Sequence, residues 1–273
     1  NIMDTAKRSS CKRKLSVLSA VLALPSSESV TISDNLQNVP ARTTSFGAVW
    51  AGSFPSLQTQ NIKVHTLILG THPSITSLKE RQYFGHPMNS FWWIAGDCLG
   101  FRRGEGLSKQ GKPYKFSSEL RYDNILPYTE QIELFCSKGF ALWDVVGSCE
   151  RKGSLDQDIK NEVPNDIIGF CKLHPNIQRI VFANGGTGVS LFLKHFKQWW
   201  LEGSLKPGNN DESQRAFGRI ARQVKESKTP FITCISAISV SPAAAIYDYP
   251  TKRKFWEEHV YRPGLELHLE LQR

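Results

Sequence analysis

The feature that most constrains the fold is a set of short apolar runs, each ending in a loop rich in Gly, Ser, Thr, Asn or Pro. Runs this short do not make stable helices and suit strands that are buried on both faces. Helical patterns separate the runs, which is typical of a parallel sheet covered by helices. The predicted strands are 66–69, 140–146, 179–183 and 232–235. The sequence therefore predicts an α/β fold, a three-layer α/β/α sandwich around a mostly parallel sheet of about four strands.

The loops that follow these strands predict where chemistry takes place. The loops are 70–77, 144–149, 184–188 and 236–245. Because the carboxyl ends of parallel strands meet at one edge of a sheet, the four loops should converge on one cleft. The third loop has Asn184 followed by glycines, but it carries neither the dinucleotide fingerprint nor a Walker lysine. We therefore interpret it as a tight strand-to-helix turn.

Composition limits the class of protein and its partners. The 273 residues are 40% apolar and 11% aromatic, which is enough for a sizeable core. The net charge of +9 favours a polyanionic partner. Six scattered cysteines include no C-x-x-C pair and no histidine at zinc spacing, so we expect reduced thiols, no metal and no cofactor. The sequence shows no clean secretory signal, so we expect an intracellular protein. No apolar run approaches the length of a membrane helix.

The first 60 residues differ in composition from the rest. They are rich in Ser, Thr and Asn and carry a basic cluster within residues 1–14. We predict a largely disordered basic segment over 1–60 and one globular domain over 61–273. The basic segment fits an organellar transit peptide, a nuclear address or a plain tail, and the sequence leaves these alternatives open. A second basic stretch, 101–118, contains several glycines and predicts a surface loop.

Two motifs carry a resemblance to a known family. After the first strand the chain reads Gly70-Thr71-His72-Pro73-Ser74, and then Tyr83-Phe84-Gly85-His86-Pro87-x-Asn89-x-Phe91-Trp92. This pairing resembles the uracil-DNA glycosylase superfamily, and within it the hypoxanthine-DNA (deoxyinosine) glycosylase branch. That branch is also similar over 143–156, and the resemblance covers about residues 64–260.

The resemblance implies an activity and a partner. It implies a monofunctional DNA glycosylase that hydrolyses the N-glycosidic bond of deaminated bases, hypoxanthine first and uracil as a second candidate. Such enzymes flip the damaged nucleotide out of the duplex and stack its base on an aromatic ring. The implied partner is DNA containing deaminated bases, with no membrane and no metal, and we expect a monomer. In a eukaryote, such a protein would work in the nucleus or in an organelle that contains DNA.

The resemblance also implies catalytic residues. The Asn of the His-Pro-x-Asn element maps to Asn89, which is the main catalytic candidate. His72 stands where many members of the superfamily have a water-activating Asn or Asp, and we take it as a second candidate. Asn89 also suits a helix N-cap, and the two roles are compatible.

Further residues are implied to bind the base or the DNA backbone. The implied base-binding residues are Phe84, His86, Asp144, Gly70 and Asn184, and the implied DNA-binding residues are Ser74, Ser239, Ser241 and Pro242. Phe84 has core packing as its alternative role, and His86 has a structural hydrogen bond in its turn. The last loop departs from the Pro-Ser-Thr-Ser-Pro-Ala pattern of the family at Ile238 and Val240.

Two rival interpretations remain. The first is a relative that binds nucleic acid without catalysing a reaction. The histidine at position 72 and the altered last loop favour this interpretation. A small-molecule α/β hydrolase is disfavoured because the chain has no G-x-S-x-G elbow.

Overall fold

The computed structural model describes residues 42–101, 126–244 and 246–273. The predicted basic cluster at the N-terminus and most of the predicted basic loop at 101–118 lie outside the described residues. The strands, in chain order, are β1 (Arg42–Thr44), β2 (Thr66–Gly70), β3 (Phe140–Asp144), β4 (Val146–Glu150), β5 (Lys160–Pro164), β6 (Arg179–Phe182), β7 (Leu205–Pro207) and β8 (Ile232–Ser236). The α-helices are α1 (Pro55–Gln58), α2 (Ile75–Glu80), α3 (Phe91–Leu99), α4 (Tyr128–Ser137), α5 (Ile167–Leu173), α6 (Thr187–Trp199), α7 (Asp211–Ala221), α8 (Tyr249–Trp256) and α9 (Arg262–Leu271).

The central sheet has five strands in the order β3-β2-β6-β8-β7, and all its pairings are parallel. This confirms the predicted α/β fold around a parallel sheet, with five strands rather than about four. The strand missed from the sequence is β7, which lies in a stretch that reads as a polar loop. It has only three residues at the sheet edge, with exposed Lys206 and with Pro207, so its sequence gives little strand signal.

Side-chain alternation along the strands divides the interior into two cores. In β2, Leu67 and Leu69 point into one core while Ile68 points into the other. In β6, Val181 shares the core of Ile68. Successive strand side chains face opposite sides of a sheet, so a strand of continuous apolar residues must be covered on both sides. Helices α3, α4 and α8 cover one face, and α5, α6 and α7 cover the other.

A second, antiparallel sheet has the order β1-β4-β5. The prediction of a loop at 144–149 is therefore wrong for most of its length, because β4 begins at Val146. β4 follows β3 after a single residue, and its partner β1 lies about a hundred residues earlier in the chain, as the pairing of Thr43 with Cys149 shows. Pairing partners this remote leave no local sequence signal.

The packed domain begins earlier than predicted. Residues 42–60 contribute β1, an antiparallel bridge between Val49 and Leu142, and the buried Leu57. The predicted boundary at 61 therefore lies inside the domain. Within the described residues, no helix combines the length and the hydropathy needed to cross a bilayer.

Candidate active site

One cavity of about 270 Å³ opens at the carboxyl edge of the central sheet. The ends of β2, β3 and β6, the loop after β8, the turn at 83–89 and the segment 154–157 all contribute to its lining. The predicted site residues that line it are Gly70, His72, Ser74, Phe84, Asn89, Asp144, Asn184, Ser239 and Ser241. His86 and Pro242 are not among its lining residues. The predicted convergence of strand-end loops is thus what forms the cavity.

Gly70 ends β2 beside Asp144, which ends the neighbouring strand β3. A Cβ atom on residue 70 would lie 2.3 Å from Oδ1 of Asp144. Real Cβ atoms do not approach another heavy atom this closely, and here the obstacle is a buried carboxyl with little room to move. A glycine at position 70 therefore allows the Asp144 carboxyl to lie at the cavity wall.

Asp144 is a buried carboxyl with a strongly perturbed pKa. Its residue is 3% exposed, and Ser45 Oγ donates a hydrogen bond of 2.6 Å to its Oδ2. Burial raises the pKa of Asp144 to about 7, and the nearby charge of Asp156 adds to this, while the Ser45 bond and Arg151 oppose it. Near neutral pH the group changes from a hydrogen-bond donor and acceptor to an acceptor alone.

His72 is held by the protein through both ring nitrogens. Nδ1 lies 3.1 Å from the carbonyl of Val146, so it must carry the proton and donate. Nε2 then accepts from Thr43 Oγ1 at 2.8 Å. Burial lowers the pKa of His72 to about 4, which keeps the ring neutral. This geometry leaves no ring nitrogen to activate a water and favours a supporting role for His72 in its loop.

Two serines connect the first loop to the turn that carries Phe84. Ser74 Oγ caps α2 by accepting from the Ser77 amide at 3.1 Å. Ser77 Oγ in turn accepts from the Gly85 amide at 3.1 Å. Ser74 therefore has a structural bond in addition to its predicted contact with DNA.

Phe84 lies at the cavity in an unusual backbone conformation. Its φ is +53°, in the left-handed region that residues other than glycine rarely adopt. Its ring stacks on Phe91, with centroids 4.1 Å apart and planes 20° apart. The Trp92 indole donates to the carbonyl of Tyr83 at 2.7 Å and helps to fix the turn. Strained residues are often kept where the surrounding structure needs a side chain in one place.

Asn89 and His86 both make local hydrogen bonds. Asn89 Oδ1 accepts from the Phe91 amide at 2.9 Å at the start of α3, and the side chain also lines the cavity. The oxygen therefore serves the helix and the amide group can still donate into the cavity. His86 Nδ1 accepts from the Met88 amide at 3.1 Å, which is the structural alternative considered for it.

Asp156 lines the cavity and was not predicted as a site residue. Its Oδ2 accepts from Asn184 Nδ2 at 2.6 Å, and its Oδ1 lies 3.7 Å from Arg151 Nη1. Burial raises its pKa. The residue ends the stretch 143–156 that carries the second resemblance, so a signal was present, but no chemistry pointed to it. Thr43 and Ser45 were missed because they lie in a segment that reads as disordered.

Hydrogen bonds fix the loop after β8, although its sequence departs from the family pattern. Ser239 Oγ accepts from the Ser241 amide and Ser241 Oγ accepts from the Ala243 amide, each at 3.2 Å. Buried Lys252 donates to the carbonyl of Ser241 at 3.4 Å. Because both serine oxygens accept from the backbone, both hydroxyl hydrogens remain able to donate to a phosphate.

Comparison with known proteins identifies the family. No family model matches the sequence. The chain is 30% identical to the hypoxanthine DNA glycosylase of Methanosarcina acetivorans over 135 residues, which are 50% of this chain and 72% of that protein. The chain belongs to the hypoxanthine DNA glycosylase family. The hypoxanthine DNA glycosylase of Methanosarcina barkeri is 28% identical over the same coverage.

A solution NMR structure of a protein from Methanosarcina acetivorans, proposed there to be a uracil DNA glycosylase, was also found. It is 21% identical, with a TM-score of 0.48, and the match covers 83% of this chain and 99% of that one. The curated relatives support a DNA glycosylase function and a DNA substrate for this chain.

Proposed function

We propose that this protein is a monofunctional DNA glycosylase that hydrolyses the N-glycosidic bond of hypoxanthine in DNA, with uracil as a second candidate base. The observation that carries the proposal is one cavity lined together by Phe84, Asn89 and Asp144. These residues supply an aromatic ring, an amide donor and a carboxyl, which are the groups that a flipped base needs.

The size of the cavity supports one base. Its volume of about 270 Å³ is below the roughly 300 to 1,000 Å³ that is common for drug-sized ligands. A flipped base would stack on the Phe84 ring, which is itself braced from behind by Phe91. The position of the aromatic ring is therefore set before DNA arrives.

The polar groups suit the edge of hypoxanthine. This base presents an N1–H donor and an O6 acceptor on its Watson-Crick edge. The Asp144 carboxylate would accept from N1–H, and the same group in its protonated form would donate to O6. Because its pKa is about 7, both forms are populated near neutral pH.

Bond cleavage moves negative charge onto the base and positive charge onto the sugar. Donors that are fixed in advance stabilise such charge better than mobile water does. The Asn89 amide, whose oxygen is fixed by the Phe91 amide, is such a donor at the cavity. A water then adds to the sugar carbon, which yields the free base and an abasic site.

The rim of the cavity supports a grip on the DNA backbone. Ser239 and Ser241 present hydroxyl donors, and Lys252 places positive charge under the same loop. Phosphate contacts of this kind fix the position of the duplex without reading sequence.

An excision assay tests the proposal. The protein is incubated with duplexes that contain one hypoxanthine, uracil or xanthine, and with undamaged duplex as control, followed by alkaline cleavage of abasic sites. We expect cleavage of the hypoxanthine strand and none of the undamaged strand. Failure to release any damaged base, from duplex or single strand, would contradict the enzymatic function.

One observation favours a second candidate, a DNA-binding relative without turnover. His72 replaces the water-activating residue of many relatives, and both its ring nitrogens are engaged by the protein. This alternative predicts salt-sensitive DNA binding with no product in the same assay.

A further inference from the structure

We propose that Asp156 binds the attacking water at the cavity wall and accepts its proton; this inference rests on the proposed glycosylase function. Asp156 begins the short 3-10 turn Asp156–Asp158 after the loop that follows β4. It contributes the only carboxylate other than Asp144 among the described residues that line the cavity. Its side chain is 19% exposed, and its place in the lining shows that it is accessible from the cavity.

The carboxylate is fixed at one oxygen. Oδ2 accepts from Asn184 Nδ2 at 2.6 Å, which ties Asp156 to the loop after β6. Oδ1 lies 3.7 Å from Arg151 Nη1, which is longer than a hydrogen bond. One oxygen is therefore positioned by the protein and the other can accept from a small molecule such as water.

Polar atoms without good partners surround the same carboxylate. Within the described part of the chain, Arg151 Nε and Nη1 have no hydrogen-bond partner, although the Arg151 side chain is only 2% exposed. Thr71 Oγ1 faces Asp156 but makes no hydrogen bond of normal geometry. Buried polar groups are nearly always satisfied, and a buried water commonly joins two to four of them. Asp156 Oδ1, Arg151 Nη1 and Thr71 Oγ1 together offer the partners that a bound water needs.

Arg151 also connects this group to the first loop. Its Nη2 donates to the carbonyl of Pro73, while Nη1 faces Asp156. Arg151 therefore links the first loop, which lines the cavity, to the carboxylate that would hold the water. A water held here would be presented from the wall formed by the segment 154–157 and the first loop.

The charged groups around Asp156 give the two carboxyl groups different roles. The titratable groups that interact with it are Arg151, Asp144 and Cys149. Burial raises the pKa of both carboxyls, but Asp156 is the more exposed of the two, so it should ionise first. Two carboxyls in unlike environments can act as base and acid in one site. Asp156 is then the acceptor while Asp144 keeps its proton up to about pH 7.

The proposed reaction is a hydrolysis of the N-glycosidic bond. The water oxygen forms a bond to C1′ of the sugar, and the C1′–N bond to the base breaks. The bonding pair leaves with the base, the water proton passes to the Asp156 carboxylate, and a proton from the Asp144 carboxyl or from solvent neutralises the departing base.

The alternative is that Asp156 only holds loops together. Asp156→Asn separates the two roles, because the amide keeps an oxygen that can accept from Asn184 while losing the negative charge. Asp158→Asn is the matched control, since Asp158 lies in the same turn and is not among the lining residues.

The experiment measures single-turnover excision from a hypoxanthine duplex between pH 5 and 9. Melting temperature and binding to a non-cleavable 2′-fluoro-deoxyinosine duplex are measured alongside. For Asp156→Asn we expect excision to fall about 100-fold or more, the range of general-base catalysis, with binding and melting temperature close to wild type. The rise of the rate with pH at the acidic end should be lost as well, while Asp158→Asn should behave as wild type.

Excision by Asp156→Asn within threefold of wild type would overturn the inference, as would a loss fully explained by weaker binding. If this variant is poorly folded, Asp156→Ala with added formate decides the matter: restored excision supports the inference and no restoration contradicts it. An inactive wild-type protein would instead defeat the proposed function itself, so the two failures are distinguishable.

Discussion

The Asn89 side chain contacts both helix α3 and the cavity. Its oxygen accepts a 2.9 Å hydrogen bond from the amide of Phe91, the first residue of the helix, and its amide group is the part that can serve chemistry. An Asn side chain can serve both the helix contact and the proposed donation into the cavity. Only a pair of substitutions can separate them.

We expect Asn89→Ala to lose most excision and also about 1 kcal/mol of stability, because the cap is removed. Asn89→Asp should keep the cap and the melting temperature, since a carboxylate oxygen accepts from the Phe91 amide equally well. It should still lose excision, because the amide donor is gone. Single-turnover rates and thermal melts check both, and wild-type excision by Asn89→Asp would show that the amide is not used.

Asp144 predicts a pH dependence of stability. Its pKa is about 7 in the folded protein, against an ordinary value of 3.8. Between pH 4 and 7 the folded protein keeps a proton that the unfolded chain releases, so this carboxyl makes stability fall as pH rises through that window, by an amount on the order of a few kcal/mol. Buried neutral His65 and His72, with pKa values of about 4, act in the opposite direction below pH 6.5.

The measurement is therefore a difference between two proteins. Denaturant unfolding of wild type and Asp144→Asn is compared at pH 5 and pH 7.5. We expect Asp144→Asn to gain stability relative to wild type at the higher pH. An equal difference at both pH values would show that the folded pKa of Asp144 is not raised.

At the scale of elements, β1 connects the start of the domain to the cavity. Its Thr43 donates to His72, and Ser45, just after the strand, donates to Asp144. Neither contact follows from the residues of β1 alone, because pairing with β4 brings the strand to the cavity. Strand β1 and the residue that follows it thus supply two hydrogen bonds to cavity side chains.

Removal of residues 1–45 should therefore abolish excision and lower the melting temperature. Removal of residues 1–41 is the matched control, because it keeps β1 and its contacts. The two shortened chains are compared by thermal melts and by excision of hypoxanthine from duplex DNA. Equal activity of the two would show that β1 is dispensable.

At the scale of the molecule, the net charge of +9 should control DNA binding. Neutralising phosphates releases counterions, so affinity falls steeply with salt. We expect binding to an undamaged duplex to weaken by at least about tenfold between 50 and 200 mM salt. Fluorescence anisotropy over a series of salt concentrations measures this. An affinity independent of salt would contradict an electrostatic grip.

The sequence by itself determined the layers of this protein and most of its cavity. Continuous apolar strands such as β2 require cover on both faces, and parallel strands bring their carboxyl ends together, so Gly70, Asp144 and Asn184 could be placed at one edge. The turn carrying Phe84 and Asn89 was found from its motif.

The tertiary structure decided which of those side chains remain available. Both His72 nitrogens are engaged by Thr43 of β1 and Val146 of β4, which meet the first loop only in the folded chain. Burial in the folded protein raises the pKa of Asp144, and Arg151 and Asn184 hold Asp156 at the cavity. Burial and hydrogen-bond partners are set by residues remote in sequence, and these contacts leave no local pattern. For that reason a sequence can identify the side chains that line such a site. Their protonation states, and which of their atoms remain available to bind a ligand, depend on the fold.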